Sequence, residues 1–289
     1  AKGANLGAKN YYYCTPLHVA AGYGQELAIQ ALVAKGACLE AKVKDDFNDF
    51  TPLNVAAPEG QAAAIQALVG GGTPLHLAAY LVHVAAIQAL IAEGADLEAK
   101  ANNGCTPLHL AAGRGHETAI QALIDKGACL EAKIDDNSTP LHFAAVGGHS
   151  AAIQALVAKG ANLEEKNSDG ETPLHWAAVG GHSEAIQALL DKGANIEAKT
   201  NNGWTPLHVA AVGGHSEAIQ ALVDKGANLE AKAKDDFTPL DVVAAQNGDL
   251  AAIQALLGGG TPLHLAAVDG HSAAIQALID KGVDLEAKN

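Results

Sequence analysis

Residues 172–204 read TPLHWAAVGGHSEAIQALLDKGANIEAKTNNGW, and this one stretch carries the information for a whole structural unit. Thr172 suits an N-cap, and Pro173 suits the first helical turn, where its missing N–H would be unpaired in any case. Leu174, Ala177 and Ala178 give a short helix a narrow apolar stripe, and Gly180 and Gly181 break it. Ser183 is placed to cap a second helix whose Ile186, Leu189 and Leu190 supply a buried face. Lys192 favours the negative end of that helix, and Gly193 supplies a left-handed stop. The remainder, ANIEAKTNNG, has turn residues at its tip and reads as a β-hairpin-like finger.

The unit recurs. Thr-Pro-Leu begins at Thr15, Thr51, Thr73, Thr106, Thr139, Thr172, Thr205, Thr238 and Thr261, with five consecutive intervals of 33 residues between Thr73 and Thr238. One such unit cannot bury its own apolar face, but stacked copies bury a continuous core. Composition agrees: 49% of residues are hydrophobic, with Ala the commonest, and only 4% are aromatic. Small side chains let neighbouring helix pairs approach closely, whereas one large core draws on more Phe, Trp and Met.

The motif TPLHxAAxxGH, followed by a second helix and KGAxLEAK, resembles the ankyrin repeat over nearly all of residues 1–289. The resemblance implies an all-α repeat solenoid of stacked helix-turn-helix units with β-hairpin-like fingers. It further implies a single array whose fingertips and first helices line a concave groove that binds other proteins.

Two units depart from the pattern. Thr51 follows a long acidic-aromatic finger, VKDDFNDF (43–50), and precedes Gly70-Gly71-Gly72. Thr238 follows AKDDF (233–237) and precedes Gly258-Gly259-Gly260. A three-glycine link suffices if helix ends lie about 10 Å apart, since each residue spans up to ~3.3 Å. The expectation is a continuous helical stack in which glycine links replace two fingers, leaving two notches. Asn54 and Asp241 stand where the other units have the motif His.

Residues 1–9 and 280–288 match in repeat phase, and neither end carries a polar capping repeat. There is no Met in the sequence. The expectation is an excerpt of a longer array, or alternatively protomers that stack head to tail into a filament through uncapped terminal repeats.

The net charge of −14 opposes a nucleic-acid or anionic-membrane partner, since either needs clustered Lys and Arg. No apolar run approaches a membrane span, no signal-peptide pattern opens the chain, and no compartment is indicated. Seven of the 13 histidines occupy the TPLH slot and six the Gly-His slot or its equivalent, so the repeat accounts for all of them. In the resembled family such imidazoles link helix starts to neighbouring loops. No HExxH, phosphate loop or nucleophile elbow occurs, so neither catalysis, a cofactor nor a metal is expected. Cys14 with Cys38 and Cys105 with Cys129 share an offset of 24, which block duplication explains; disulfides between fingers remain an alternative, while the spacing is poor for zinc. The Glu of each LEAK segment reads as part of a solvated face.

Aromatics carry the binding expectation. Tyr11, Tyr12, Tyr13, Tyr23, Phe47, Phe50, Tyr80, Trp204 and Phe237 occupy fingertips or first-helix ends, positions that differ between copies. A framework of Ala, Leu, Ile and Val has no need of them there, and large exposed aromatics are typical anchors for a protein partner. Arg114 and Glu171, at comparable positions, are expected to tune specificity. Phe143 and Trp176 instead follow the motif His and are expected to be partly packed.

Overall fold

A computed structural model of the chain describes residues 4–10, 14–42, 72–234 and 236–246. The Thr51 unit with Asn54, the Thr261 unit, the Gly258–Gly260 link, Tyr11, Tyr12, Tyr13, Phe47 and Phe50 lie outside these residues. The described part is helical, with no strand. Its helices are α1 (Pro16–Gly22), α2 (Glu26–Ala34), α3 (Pro74–Tyr80), α4 (Val84–Ala92), α5 (Pro107–Gly113), α6 (Glu117–Asp125) and α7 (Pro140–Val146). They continue with α8 (Ser150–Ala158), α9 (Pro173–Val179), α10 (Ser183–Asp191), α11 (Pro206–Gly213), α12 (Ser216–Asp224) and α13 (Pro239–Gln246). Two compact units comprise residues 1–141 with 158–161, and residues 142–157 with 162–289.

Within each unit the helix pairs stack as the layers of a helix-turn-helix solenoid. In the first, α1 packs on α3 and α3 on α5, while α2 packs on α4 and α4 on α6. In the second, α9, α11 and α13 form one row, and α10 and α12 the other. Each layer repeats one core: Leu108, Ala111, Ala112, Ala119, Ile120 and Leu123 are buried, as are Leu174, Ala177, Ala178, Ala185, Ile186 and Leu189. Each buried Leu or Ile contributes about 1.5–3 kcal/mol, and the alanines between them set the short helix separation.

Local sequence explains the boundaries. Thr172 caps α9 with Pro173 behind it, and α9 ends before Gly180. Gly181 turns the chain at φ +71°, and a Cβ there would sit 2.7 Å from the ring of His215. Glycine thus serves both the left-handed turn and the approach of the next layer. The N-cap of α10 is His182, with Ser183 inside the first turn, because the non-helical cap conformation (φ −91°, ψ 89°) falls one residue earlier than sequence suggests. The fingers close as tight turns: Ala101 N–H donates to Cys105 O at 2.9 Å and Gly104 N–H to Ala101 O at 3.0 Å.

The order of layers in the first unit differs from expectation. By sequence the Thr51 unit stands between the Thr15 and Thr73 layers, yet these two are bonded directly. His18 Nε2 donates to Gly72 O at 3.2 Å, as His76 Nε2 donates to Cys105 O at 2.9 Å. His83 Nε2 donates to Gly22 O, as His116 Nε2 donates to Tyr80 O, each at 2.9 Å. Asp96 N–H donates to Glu40 Oε1, as Cys129 N–H donates to Glu98 Oε1. The partners in these three bonds are 54, 61 and 56 residues apart, against 29, 36 and 31 in the regular junction. Every separation is longer by the same 25 residues.

Candidate binding surface

The constant positions of each layer are occupied by bonds within the stack. In the TPLH slot, His175 Nδ1 accepts from Thr172 N–H at 3.1 Å and lies 2.9 Å from Thr172 Oγ1; its Nε2 donates to Trp204 O at 3.0 Å. A neutral Nε2–H tautomer satisfies all of these at once, and burial holds the pKa of His18, His76, His109 and His175 down to about 4. In the Gly-His slot, His182 and His215 donate to Val146 O and Val179 O at 2.9 Å. Both histidine rows therefore tie one layer to another. Among the described residues no group of three His, Cys, Asp or Glu is placed to hold a metal.

The glutamates of LEAK are bonded as well, although Glu40, Glu98 and Glu164 are exposed to solvent. Glu164 and Glu197 accept the backbone N–H of Asn195 and Asn228 at 2.7 Å, because the 33-residue translation brings the next turn's amide to each carboxylate. Cys14, Cys38, Cys105 and Cys129 are free thiols.

The positions that differ between layers lie outside this bonding pattern. Tyr23, at the C-cap of α1, is 57% exposed. It borders an apolar concavity of about 630 Å³ with Val19, Ala20, Ala28 and Leu32. Tyr80 ends α3, and Arg114 caps the C-terminus of α5 with its guanidinium carbon 4.9 Å from the centre of the Tyr80 ring. These two predicted residues meet because the end of one first helix abuts the cap position of the next. Val82, exposed beside them, holds φ +64° where other layers have glycine.

In the second unit Glu171 is less free than expected. Its Oε2 accepts from Trp176 Nε1 at 2.8 Å and from Asn167 Nδ2 at 2.9 Å, so its carboxylate anchors a ring. Trp176 packs 5.9 Å from Phe143 and edge-on to His142 at 5.3 Å. Both rings are half-buried. The signal for this cluster is register: Phe143 and Trp176 each follow the motif His in successive layers, one period apart. Trp204 and Phe237 occupy successive finger bases. Trp204 stacks on His208 at 6.1 Å, and His208 Nε2 donates to Phe237 O at 3.0 Å. Phe237 is 43% exposed, whereas Trp204 is half-buried.

This repeated geometry defines a class, the helical-repeat scaffold, and comparison with known proteins makes it specific. Family models described as ankyrin repeats match residues 70–134, 129–200 and 196–260 in a three-copy form, and residues 12–44 and 258–289 as single repeats. The chain belongs to the ankyrin-repeat family. The ankyrin repeat domain of human ASB11 superposes with a TM-score of 0.63 at 27% identity, covering 84% of this chain and 98% of that one. The ankyrin repeat domain of Bcl-3, described as a unique member of the IkappaB protein family, gives 0.60 at 29% identity, covering 78% and 92%. No functionally curated protein matches the chain. Ankyrin repeats are typically non-catalytic modules that mediate protein–protein interactions, and no helix of the described residues is long and apolar enough to cross a membrane.

Proposed function

We propose that this chain is a non-catalytic scaffold that binds a protein partner through the layer-specific residues Tyr23, Tyr80, Arg114, Trp204 and Phe237, of which Tyr23, Arg114 and Phe237 are exposed and Tyr80 and Trp204 half-buried. The observation that carries this reading is the division of labour within a layer. Motif Thr, Pro, Leu, His, Ala, Ile and Glu recur with the same bonds, while aromatic and charged side chains occur where no repeat bond requires them. A rigid framework holding aromatic anchors loses little side-chain entropy on binding. Tyr11, Tyr12, Tyr13, Phe47 and Phe50 extend the same expectation by sequence. Panning a displayed library of small protein domains on the immobilised chain tests it. Binders should be recovered whose retention falls when Tyr23, Tyr80, Trp204 and Phe237 are changed to Ser; retention unaffected by all four would refute the surface.

A second reading, self-stacking of protomers, is supported by the first layer. Ala28 is exposed and Leu32 half-buried, whereas their counterparts Ala119 and Leu123 are buried under the preceding layer. Light scattering across the micromolar range separates the two readings: growth into particles of increasing mass favours stacking, and a constant monomer mass rejects it.

A further inference from the structure

We propose that Tyr23, Tyr80 and Arg114 form a recognition strip for an acidic peptide segment of the partner, with the Arg114 guanidinium taking a carboxylate beside the Tyr80 ring. This rests on the protein-binding reading above and adds the chemistry of what is bound. Arg114 is the only arginine of the chain, in a sequence of net charge −14. Among the described residues it forms no ion pair; its partner is the face of Tyr80. A guanidinium laid over an aromatic ring is oriented by that contact, and its N–H edge stays available for in-plane, bidentate donation to a carboxylate.

The strip is also held in place. His83 fastens the Thr73 layer to Gly22 O, immediately before Tyr23, and His116 fastens the Thr106 layer to Tyr80 O. Successive helix ends are thereby fixed relative to one another, which lowers the ordering cost of binding. The middle layer departs from its siblings at this turn: Tyr80-Leu81-Val82 replaces a glycine-containing turn, and Val82 keeps the left-handed conformation despite its branched side chain. Backbone strain of this kind persists where the surroundings impose it and concentrates at functional surfaces. In the second unit the corresponding helix ends carry Val146 and Val179, which are exposed but offer neither charge nor ring.

Chain-wide charge and local chemistry make opposite predictions. An acidic protein attracts basic peptides at long range, but that field fades beyond roughly 8 Å at physiological salt, whereas a contacting guanidinium is barely screened. Three fluorescein-labelled dodecapeptides decide the matter by fluorescence polarisation on the whole chain. One alternates Phe with Asp and Glu, the second substitutes Asn and Gln for the acids, and the third substitutes Lys and Arg. The acidic peptide should bind tightest, and Arg114→Gln should weaken it about tenfold without changing the circular dichroism. Tyr80→Leu should weaken it less, because the guanidinium survives without its platform. Equal binding of the three peptides, tightest binding of the basic one, or acidic binding indifferent to Arg114→Gln would overturn the proposal. Domain binders from the library that ignore Arg114 would do so while leaving the broader scaffold reading intact; a library yielding no binders would remove both.

Discussion

His76 Nε2 lies 2.9 Å from the carbonyl oxygen of Cys105, while its Nδ1 lies 2.9 Å from Oγ1 of Thr73 and accepts the Thr73 N–H at 3.1 Å. One neutral imidazole thus fastens the start of its own helix and reaches the finger base of the next layer. Protonating Nδ1 would remove the acceptor that two Thr73 groups use. Asp241, in the same slot, shows the limit of substitution: it accepts from Thr238 N–H and Oγ1–H at 3.0 and 2.8 Å, but a carboxylate has no N–H to offer the following layer.

Acid should therefore unfold the chain well above the carboxylate range. His18, His76, His109 and His175 titrate near 4 when folded and near 6.5 when unfolded. Their stabilising contribution is complete above pH 6.5 and is lost as pH falls toward 4, because the unfolded chain binds protons first. Each histidine gives a slope of about 1.4 kcal/mol per pH unit inside that window. Urea midpoints measured from pH 7.5 down to 4.5 should stay level to about 6.5 and then drop steeply. A flat profile to pH 5 would contradict the buried neutral imidazoles.

Val82→Gly should stabilise the protein. Val82 holds φ +64°, a conformation costing an L-residue about 1–2 kcal/mol, and Gly24 and Gly115 occupy the same turn at +67° and +70°. The flexibility that glycine adds to the unfolded chain takes back about half of that, leaving a net gain near 1 kcal/mol. Equilibrium urea unfolding reads this as a higher midpoint at unchanged slope; a lower midpoint would mean that Val82 packing outweighs its backbone strain.

The periodic part of this fold was legible in the sequence because each repeat position has one job. Thr172, Pro173 and Leu174 state a helix start, and a 33-residue period states what stacks on what. Ser183 was misplaced as a cap, since His182 takes the cap conformation while serving the bond to Val146 O. The Trp176–Glu171 bond was illegible for another reason: it joins two variable positions, and nothing in a period predicts which variable side chains will reach each other. Tyr80 and Arg114 were both singled out as exposed, but their mutual contact depends on helix ends meeting across layers.

The cysteines should divide by burial. Cys38 and Cys129 are exposed on fingers, whereas Cys14 and Cys105 are buried, and burial pushes their thiols up to about 11. A thiol reagent attacks the thiolate, so both access and ionisation protect the inner pair. Ellman's reagent on the native, reduced chain should modify the two outer cysteines rapidly and all four after denaturation, with the sites assigned by peptide mass. Fast native labelling at Cys14 or Cys105 would show that the finger bases open.

The junction between the Thr15 and Thr73 layers makes the strongest structural prediction. Its three interlayer bonds match those of the next junction, with partners spaced 25 residues further apart in sequence. The described residues on the two sides of this junction are therefore bonded to each other in the regular pattern. Replacing 43–71 by Ala-Asn-Asn-Gly, the finger sequence found at 101–104, would leave Gly72 next to Thr73 and restore the regular length. The shortened chain should fold, keep its helical signal per residue of stack, and melt at or above the parent temperature, since closing a shorter loop costs less entropy. His18→Ala should destabilise the shortened and parent chains equally, by about 1–3 kcal/mol for the orphaned Gly72 carbonyl. If excision instead unfolds the first layer, seen as loss of protection of Cys14 against thiol reagents, the Thr51 unit is needed for that layer and the direct junction is wrong.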